Sequence, residues 1–311
     1  MESEMLIFSG NANRPLAQRI CEYLDVPLGR AMVSQFSDGE TRVELESNVR
    51  GRDVFIVQPT SAPANHHIME ALTMADACRR ASAQRLTLVC PYFGYARQER
   101  KSTPRTPITA KLVADLFEAA GVDRLLTLEL HTSAIQGFFN IPVDHLFIKP
   151  VFSSYFDKVE NLVVVSPDAG GVERARAMAK VFGSGLAIID KRRDRPNESS
   201  VMNLIGDVKG RNALIVDDIC DTGGSLTKAA EEIMSQGALS VSAAVTHAVL
   251  SGKAIENITN SSLKELVVTD SIPLTPEGLR CGKITQLGIS ELLGKAIRRI
   301  HNADSISSLF I

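Results

Sequence analysis

One stretch decides the fold of this chain: Leu214-Ile215-Val216-Asp217-Asp218-Ile219-Cys220-Asp221-Thr222-Gly223-Gly224-Ser225-Leu226. The apolar run from Ala213 to Val216 predicts a strand covered on both faces, and the apolar spacing from Leu226 to Met234 predicts a following helix. The turn between them offers backbone N–H groups and hydroxyls that can surround a phosphate at the helix N-terminus. Asp217 and Asp218 precede that turn, within reach of sugar hydroxyls or of a bound Mg²⁺. The segment predicts a cradle for a sugar phosphate such as ribose 5-phosphate.

The same turn has a plainer interpretation, in which Asp221 or Thr222 only caps the helix. An isolated Asp-Thr-Gly would favour that interpretation. Here the acids, hydroxyls and glycines stand directly behind an apolar strand: Asp217, Asp218, Asp221, Thr222, Gly223, Gly224 and Ser225. So many polar and small residues in one short turn favour the phosphate cradle over a simple helix cap.

Length and composition bound the class of protein. The chain has 311 residues, which predicts two domains. A net charge of −2 gives no general attraction to nucleic acid or to anionic membranes, so neither is an expected partner. Five scattered cysteines without CxxC spacing argue against a disulfide framework or a zinc site. With no membrane-length apolar run and no signal-peptide pattern, a cytoplasmic protein is expected.

Short β-branched runs alternate with amphipathic stretches, which is typical of an α/β fold with mainly parallel sheets flanked by helices. The predicted strands are Met5 to Phe8, Val54 to Gln58, Leu86 to Cys90, Leu125 to Leu128, Leu162 to Val165, Leu186 to Ile189, Ala213 to Val216, Val241 to Thr246 and Leu266 to Val268. The predicted helices are Arg14 to Leu24, Ile68 to Arg80, Thr109 to Ala119, Val172 to Val181, Thr222 to Ser235 and Ser290 to Ile300.

The two halves of the chain have a similar order of predicted strands and helices. The strand, helix and strand from Asp53 to Cys90 have the same plan as those from Ala213 to Val245, which suggests a weak tandem duplication. Where the second copy has acids and Gly-Gly, the first has Gln58-Pro59-Thr60-Ser61-Ala62-Pro63 and no carboxylate. We therefore expect the cradle only in the second domain. The predicted domains are 1–148 and 149–311, with a C-terminal tail able to pack back on the first.

Further polar residues follow other predicted strands. Arg97, Arg100 and Lys101 lie in a loop after the strand that ends at Cys90, where cations suit a polyphosphate; alone, the loop is as consistent with a solvated basic surface. His131 and Asp168 also follow strands and could flank one Mg²⁺, with Asp168 the better ligand.

The adjacent pair His66-His67 is not interpreted as a metal site, because neighbouring residues point in different directions and no acid at ligand spacing accompanies them. The segment Lys191-Arg192-Arg193-Asp194-Arg195-Pro196-Asn197-Glu198-Ser199-Ser200 lacks apolar anchors. It suits a loop whose cations close over a reacting phosphate, and equally an ordinary surface loop.

Together these segments resemble the ribose-phosphate diphosphokinases, or phosphoribosyl pyrophosphate synthetases, of the main phosphate-activated class. The resemblance spans essentially the whole chain and includes Phe8-Ser9-Gly10-Asn11, Phe36-Ser37-Asp38-Gly39-Glu40, Pro91 to Lys101, Leu130-His131, Ser166-Pro167-Asp168, Lys191-Arg192-Arg193 and Val216 to Leu226. It implies two tandem phosphoribosyltransferase-like domains. It also implies transfer of the β,γ-diphosphate of Mg-ATP to the C1 hydroxyl of ribose 5-phosphate, giving 5-phosphoribosyl 1-diphosphate and AMP.

The resemblance also assigns roles to residues. It implies that Lys191 and Arg193 stabilise the transferring group and that His131 and Asp168 hold the Mg-triphosphate. ATP would contact Phe36, Asp38, Glu40, Arg97, Gln98 and His131, the first three reaching into a neighbouring subunit's site. Ribose 5-phosphate would bind Asp217 and Asp218 through its hydroxyls, and Asp221, Thr222, Gly223, Gly224 and Ser225 through its phosphate.

The family resemblance further implies a homo-hexamer, activation by inorganic phosphate and inhibition by ADP near Ser133, Gln136, Asp144 and His145. The sequence departs from the family pattern at Glu99 and Glu129, where aspartate is usual, and at Glu173, where the family residue is apolar. Two other functions are considered: a phosphoribosyltransferase that consumes the diphosphate product, and a non-catalytic regulatory relative.

Overall fold

The structure, a computed structural model, describes residues 4–192 and 201–309, and for residues 191, 192, 201 and 202 it describes the backbone alone. The chain divides into two compact units. The first comprises Met1–Phe147, Ser271–Pro273 and Gly288–Ile311, and the second comprises Ile148–Asp270 and Leu274–Leu287. The last segment of the chain therefore belongs to the first unit.

The first unit is built on a five-stranded parallel sheet. Its elements up to Phe147 are, in chain order, β1 (Met5–Ser9), α1 (Arg14–Leu24), β2 (Ala31–Gln35), β3 (Thr41–Leu45), β4 (Asp53–Val57), α2 (Ala64–Arg80), β5 (Arg85–Cys90), α3 (Thr109–Ala120), β6 (Arg124–Leu128), a 3-10 turn (Ser133–Phe138) and β7 (Val143–Leu146). The sheet order is β1-β4-β5-β6-β7, and β2 and β3 form a separate antiparallel hairpin.

The second unit is built on a seven-stranded sheet of order β10-β9-β8-β11-β12-β13-β14. Its elements are α4 (Lys149–Phe156), β8 (Leu162–Ser166), α5 (Val172–Phe182), β9 (Gly185–Arg192), β10 (Val201–Ile205), β11 (Asn212–Cys220), α6 (Gly224–Ser235), β12 (Ser240–Ala248), α7 (Ala254–Thr259), β13 (Glu265–Thr269), α8 (Pro276–Arg280) and β14 (Ile284–Leu287). Only the β9–β10 pair among these ladders is antiparallel.

The predicted α/β class, with mainly parallel sheets in two phosphoribosyltransferase-like units, is confirmed. In the first unit β4 and β5 are parallel neighbours joined through α2, and in the second β11 and β12 are parallel neighbours joined through α6. Every residue of β4 is buried, which is why its sequence Asp-Val-Phe-Ile-Val is an almost continuous apolar run without alternation.

A final helix, α9 (Ser290–His301), returns to the first unit and packs against α1. Its buried face includes Leu293 and Ile297. Gly294 is required at the crossing, because an added Cβ would lie 2.4 Å from Cδ1 of Tyr23 on α1. Close helix packing therefore holds the end of the chain to its beginning.

The predicted helices all exist, with small shifts at their ends. The helix after the cradle begins at Gly224 instead of Thr222, because Gly223 has a left-handed φ of 74° and cannot continue a right-handed helix. Elements β2, β3, β7, β10, β14, α7 and α8 were not predicted from the sequence. These elements are short, and several are half-exposed, so their apolar patterns are weak.

Among residues 4–192 and 201–309, none of the helices combines the length and the apolar character that crossing a membrane requires.

Candidate functional site

The paired acids of the second unit lie within a strand. Asp217 and Asp218 were expected to follow the strand, but β11 runs on to Cys220 because its ladder with β12 continues to Ala248. The Asp218 amide donates to Oδ1 of Asp217 at 2.9 Å. Asp217 thus lies in the ladder opposite Val245, and the adjacent Asp218 is buried.

Arg174 of α5 faces both acids. Its Nη1 lies 3.2 Å from Oδ1 of Asp218 and 3.5 Å from Oδ1 of Asp217. All three side chains are at least partly buried, so solvent screens this contact less than a surface ion pair. The sequence analysis did not select Arg174, because nothing in its local pattern shows that α5 packs against β11.

The acid pair perturbs its own ionisation. The pKa of Asp217 is raised to about 8, mainly by burial and also by the neighbouring Asp218 charge, while Arg174 opposes the shift. A carboxyl group with a raised pKa is a common feature of functional sites, since the structure holds it in an unfavourable place until a ligand compensates. The pair is therefore prepared to accept hydroxyl donors or a cation.

The predicted cradle lies immediately after these acids. Gly223, with its left-handed φ of 74°, turns the chain so that α6 begins at Gly224, and no side chain caps the helix. Thr222 and Ser225 are exposed beside that helix end. Uncapped N–H groups, two hydroxyls and the positive end of the helix dipole form an anion site.

Two side chains from the following segment hold the cradle in place. Ser251 donates from its hydroxyl to Oδ1 of Asp221, and its amide donates to the Asp221 carbonyl at 3.0 Å. Nδ2 of Asn257, on α7, donates to the Thr222 carbonyl at 2.9 Å. Asp221 thus supports the loop, a contact that the sequence analysis did not foresee because Ser251 lies thirty residues away.

Asp168 occupies a similar turn between β8 and α5. Its Oδ1 accepts from the amide of Gly171 at 3.0 Å, and its carbonyl accepts from the Ser166 hydroxyl at 2.7 Å. The side chain is partly exposed. Asp168 therefore stabilises its own turn and still presents a carboxylate at the carboxyl end of the strand.

The predicted catalytic pair is described only in part. Lys191 is the penultimate residue of β9, paired with Met202 of β10 in the backbone ladder. Arg193 lies outside the described residues.

In the first unit, the segment expected to contact ATP forms the tip of the β2–β3 hairpin. The amide of Phe36 donates to the Glu40 carbonyl at 2.8 Å, and Oδ1 of Asp38 accepts from the Glu40 amide at 3.1 Å. The Phe36 ring is half-exposed, with the Arg42 guanidinium 5.6 Å from its centroid. An exposed aromatic ring beside a cation suits stacking against a planar ligand.

Arg97 and Gln98 are exposed in the loop after β5. Gln98 is fixed there, since its amide donates to the Tyr95 carbonyl at 2.8 Å and its Oε1 accepts from the Thr109 hydroxyl at 2.6 Å. Glu99, one of the departures from the family pattern, is mostly buried and lies 3.3 Å from Nε of Arg100.

His131 is exposed after β6, whereas the preceding Glu129 is buried with a left-handed φ of 41°. His131 belongs to the first unit and Asp168 to the second. Among the described residues there is no cluster of three or more side chains able to hold a metal. The partly exposed Asp168 carboxylate is an oxygen donor of the kind that Mg²⁺ prefers.

The residues expected near an ADP site have contacts of their own. Nε2 of His145 accepts from the Leu130 amide at 2.9 Å, and Nδ1 lies 3.3 Å from Nε2 of Gln136. The Asp144 carboxylate pairs with Arg124 at 2.8 Å.

Two parallel-sheet units and a strand–acid–glycine turn at a helix N-terminus define this chain as a protein of the phosphoribosyltransferase-like fold. Residues 5–121 match the model of the N-terminal domain of ribose phosphate pyrophosphokinase, and residues 193–311 match that of the phosphoribosyl synthetase-associated domain.

Curated relatives and a solved structure agree with these matches. The chain is 55% identical to the ribose-phosphate pyrophosphokinase of a Marinomonas species, over 99% of each chain. It is 55% identical to that of Agrobacterium fabrum, over 98% of this chain and 100% of the relative. The crystal structure of phosphoribosylpyrophosphate synthetase from Mycobacterium smegmatis superposes with a TM-score of 0.91 at 38% identity, covering 97% of this chain and 100% of that one. The chain belongs to the ribose-phosphate pyrophosphokinase family.

Proposed function

We propose that this enzyme transfers the β,γ-diphosphate of ATP to the C1 hydroxyl of ribose 5-phosphate, giving 5-phosphoribosyl 1-diphosphate and AMP. The observation that carries the proposal is the position of Asp217 and Asp218 directly before the uncapped start of α6. The same strand and turn thus offer acceptors for sugar hydroxyls and an anion-binding helix end for the sugar's phosphate.

The cradle residues bind the acceptor substrate. Backbone N–H groups and hydroxyls of residues 222–225 hold the 5-phosphate, since that end of α6 carries partial positive charge. Asp217 and Asp218 accept hydrogen bonds from the ribose hydroxyls and fix the orientation of C1. Arg174 lies within 3.5 Å of both carboxyl groups and favours their ionised form, which accepts these hydrogen bonds.

The nucleotide-binding residues are those on the first unit's loops. Phe36 stacks on adenine, Asp38 and Glu40 contact the nucleoside, and Arg97, Gln98 and His131 line the phosphates. Asp168 and His131 are the residues that would hold Mg²⁺, which supplies charge neutralisation on the phosphate oxygens when bound.

The reaction is an in-line attack by the C1 hydroxyl oxygen on the β-phosphorus, with AMP as the leaving group. Positioning and electrostatic stabilisation supply most of the acceleration, and no covalent enzyme intermediate is needed. Lys191 and Arg193 donate to the oxygens of the transferring group as charge moves towards AMP.

Incubation with Mg-ATP and ribose 5-phosphate tests the proposal. We expect stoichiometric AMP and 5-phosphoribosyl 1-diphosphate, and a Lys191→Ala enzyme should lose on the order of 10²-fold or more in kcat. Lys180→Ala, which removes an exposed lysine of α5, is the matched control and should retain wild-type rates. Absence of AMP with wild-type enzyme would contradict the proposed reaction.

Two further properties follow from the family resemblance: a homo-hexameric assembly, and control by inorganic phosphate as activator and ADP as inhibitor. Initial rates with and without each effector, together with a mass measurement of the assembly, test them. Rates that do not respond to either ligand, or a monomeric mass, would exclude the corresponding property.

A further inference from the structure

The β2–β3 hairpin carries the proposed adenine-binding tip but is outside the five-stranded sheet. Its inner residues Val33, Val43 and Leu45 pack against the core of the first unit, whereas residues 35–40 are exposed. An isolated two-stranded hairpin is marginally stable and depends on what it packs against. The exposed tip has no apolar packing of its own, so polar contacts at its base can contribute to its orientation.

A buried carboxylate on α2 provides a fixed point beneath the hairpin. The Glu70 side chain has no solvent exposure. It accepts from Nε2 of Gln58 at 2.7 Å and from the Asn11 amide at 3.1 Å, and Nδ2 of Asn11 donates to it as well as to the Val33 carbonyl. These contacts tie α2 to the carboxyl ends of β1 and β4 and, through Val33, to β2.

His66, one helical turn before Glu70, connects this fixed point to the tip. Its Nε2 lies 3.2 Å from Oε1 of Glu70, and its Nδ1 lies 3.1 Å from Nε2 of Gln35. Gln35 is the last residue of β2 and immediately precedes Phe36. A neutral imidazole with its proton on Nε2 satisfies both contacts, donating to the carboxylate and accepting from the amide.

We propose that His66 and Glu70 are positioning residues that hold the base of the β2–β3 hairpin in one orientation and so present Phe36 to Glu40 to ATP. The assignment rests on the proposed nucleotide role of that tip. The adjacent His67 takes no part, because its Nδ1 lies 2.8 Å from the Ser61 carbonyl. The contact between His66 and Glu70 also shows that the sequence analysis was wrong to find no acid at ligand spacing from the histidine pair.

Kinetics of His66→Ala provide the first test. The KM for ATP should rise about tenfold, the change expected from loss of hydrogen bonds of ordinary net strength, while the KM for ribose 5-phosphate stays within about twofold. His66→Gln, which can donate to Glu70 and accept from Gln35, should restore most of the affinity. Thr73→Ala on the same helix is the control, since its hydroxyl only contacts the Met69 carbonyl of its own helix.

Coupling between the two partners gives a second prediction. Gln35→Ala should reproduce the His66→Ala phenotype, and the double variant should be no worse than either single variant, because both remove the same connection. Independent effects that multiply to about a hundredfold would show that His66 acts by another route.

A spectroscopic readout separates this inference from the reaction itself. The chain has no tryptophan, so Phe36→Trp places a single tryptophan at the tip, which can be excited selectively over the four tyrosines. Its steady-state anisotropy should fall when His66→Ala is added and stay unchanged when Thr73→Ala is added, with circular dichroism and Tm confirming that each variant is folded. If anisotropy and the KM for ATP are both unaffected by His66→Ala, the inference is wrong. If no AMP forms but anisotropy falls, the anchoring is supported and the proposed function fails.

Discussion

Nη1 of Arg174, on α5, lies 3.2 Å from Oδ1 of the buried Asp218 on β11. The contact joins the Asp168 turn, which leads into α5, to the strand that carries the acid pair. The Arg174 guanidinium is therefore a positive charge facing the two acids of β11. Arg174→Ala should lower the free energy of unfolding by about 1.5–3 kcal/mol, the range for hydrogen bonds to charged groups, and should raise the KM for ribose 5-phosphate.

Arg174→Lys keeps the charge but not the planar fork, so an intermediate effect is expected. Arg176→Ala, which removes an exposed arginine from the same helix, is the control for both measurements. Denaturant titration and initial-rate kinetics give the two quantities. Equal effects of the alanine substitutions at residues 174 and 176 would contradict the assignment.

Gly223→Ala tests the cradle turn. The added Cβ would have ordinary contacts, the nearest at 3.5 Å from the Ala254 carbonyl oxygen. Any destabilisation of the folded state therefore comes from holding alanine at a left-handed φ of 74°. We expect about 1–2 kcal/mol of destabilisation and a weakened affinity for ribose 5-phosphate. Gly224→Ala begins a regular helix with the nearest atom at 3.9 Å and should leave Tm unchanged. Comparable loss of Tm in both variants would exclude a conformational cause.

The pKa of Asp217 predicts how stability depends on pH in the ligand-free, chelator-treated enzyme. Folding raises this pKa from an ordinary value near 4 to about 8, so the folded state binds the proton more tightly than the unfolded state. The Asp217 contribution is therefore favourable below about pH 4 and is lost as the pH rises to about 8.

Asp217→Asn should remove that slope and raise the free energy of unfolding at pH 8 by at least about 1 kcal/mol, while weakening ribose 5-phosphate binding. Denaturant titrations of both proteins, at intervals of about one pH unit from pH 5 to pH 8, measure the difference in the free energy of unfolding. A parallel pH dependence in the two proteins would refute the prediction.

The cysteines should differ in reactivity. Burial raises the pKa of Cys78, Cys90 and Cys220 to about 12, with the Asp217 and Asp221 carboxylates adding to the effect on Cys220. At pH 8 the thiolate fraction of each is on the order of one in ten thousand. Cys281 is the only partly exposed cysteine of the five, so iodoacetamide should modify it first.

Peptide mass spectrometry after short exposure identifies the labelled site. Cys281→Ser should abolish the early modification. Early labelling of Cys220 instead would mean that the strand end opens in solution.

Features that depend on contacts between neighbouring residues were predicted from the sequence, whereas features that depend on distant contacts were not. The strand, acids and glycine turn around Asp217 and Gly223 were found because each element follows directly from its neighbours in the chain. The length of β11 was misjudged, since its last residues are apolar only in part and are held by the ladder to β12. Arg174 was missed for a related reason: its partners lie more than forty residues away.

The hairpin could have been recognised. Asp38-Gly39 is a hairpin signal, and Thr41–Leu45 alternates between half-buried and exposed residues. The two strands are short and only half-buried, so their apolar pattern is weak beside that signal. The spacing of His66 and Glu70 was equally available, but the role of Gln35 depends on tertiary packing that no local pattern contains.

The return of α9 to the first unit affects how the protein is made. Because Gly294 packs against Tyr23 and the buried face of α9 covers α1, the first unit lacks part of its interior until Gly288–Ile311 has been synthesised. On the ribosome, the amino-terminal half must therefore wait for the whole second unit to emerge before it can finish folding. The first unit is therefore the first to be translated and the last to complete its folding.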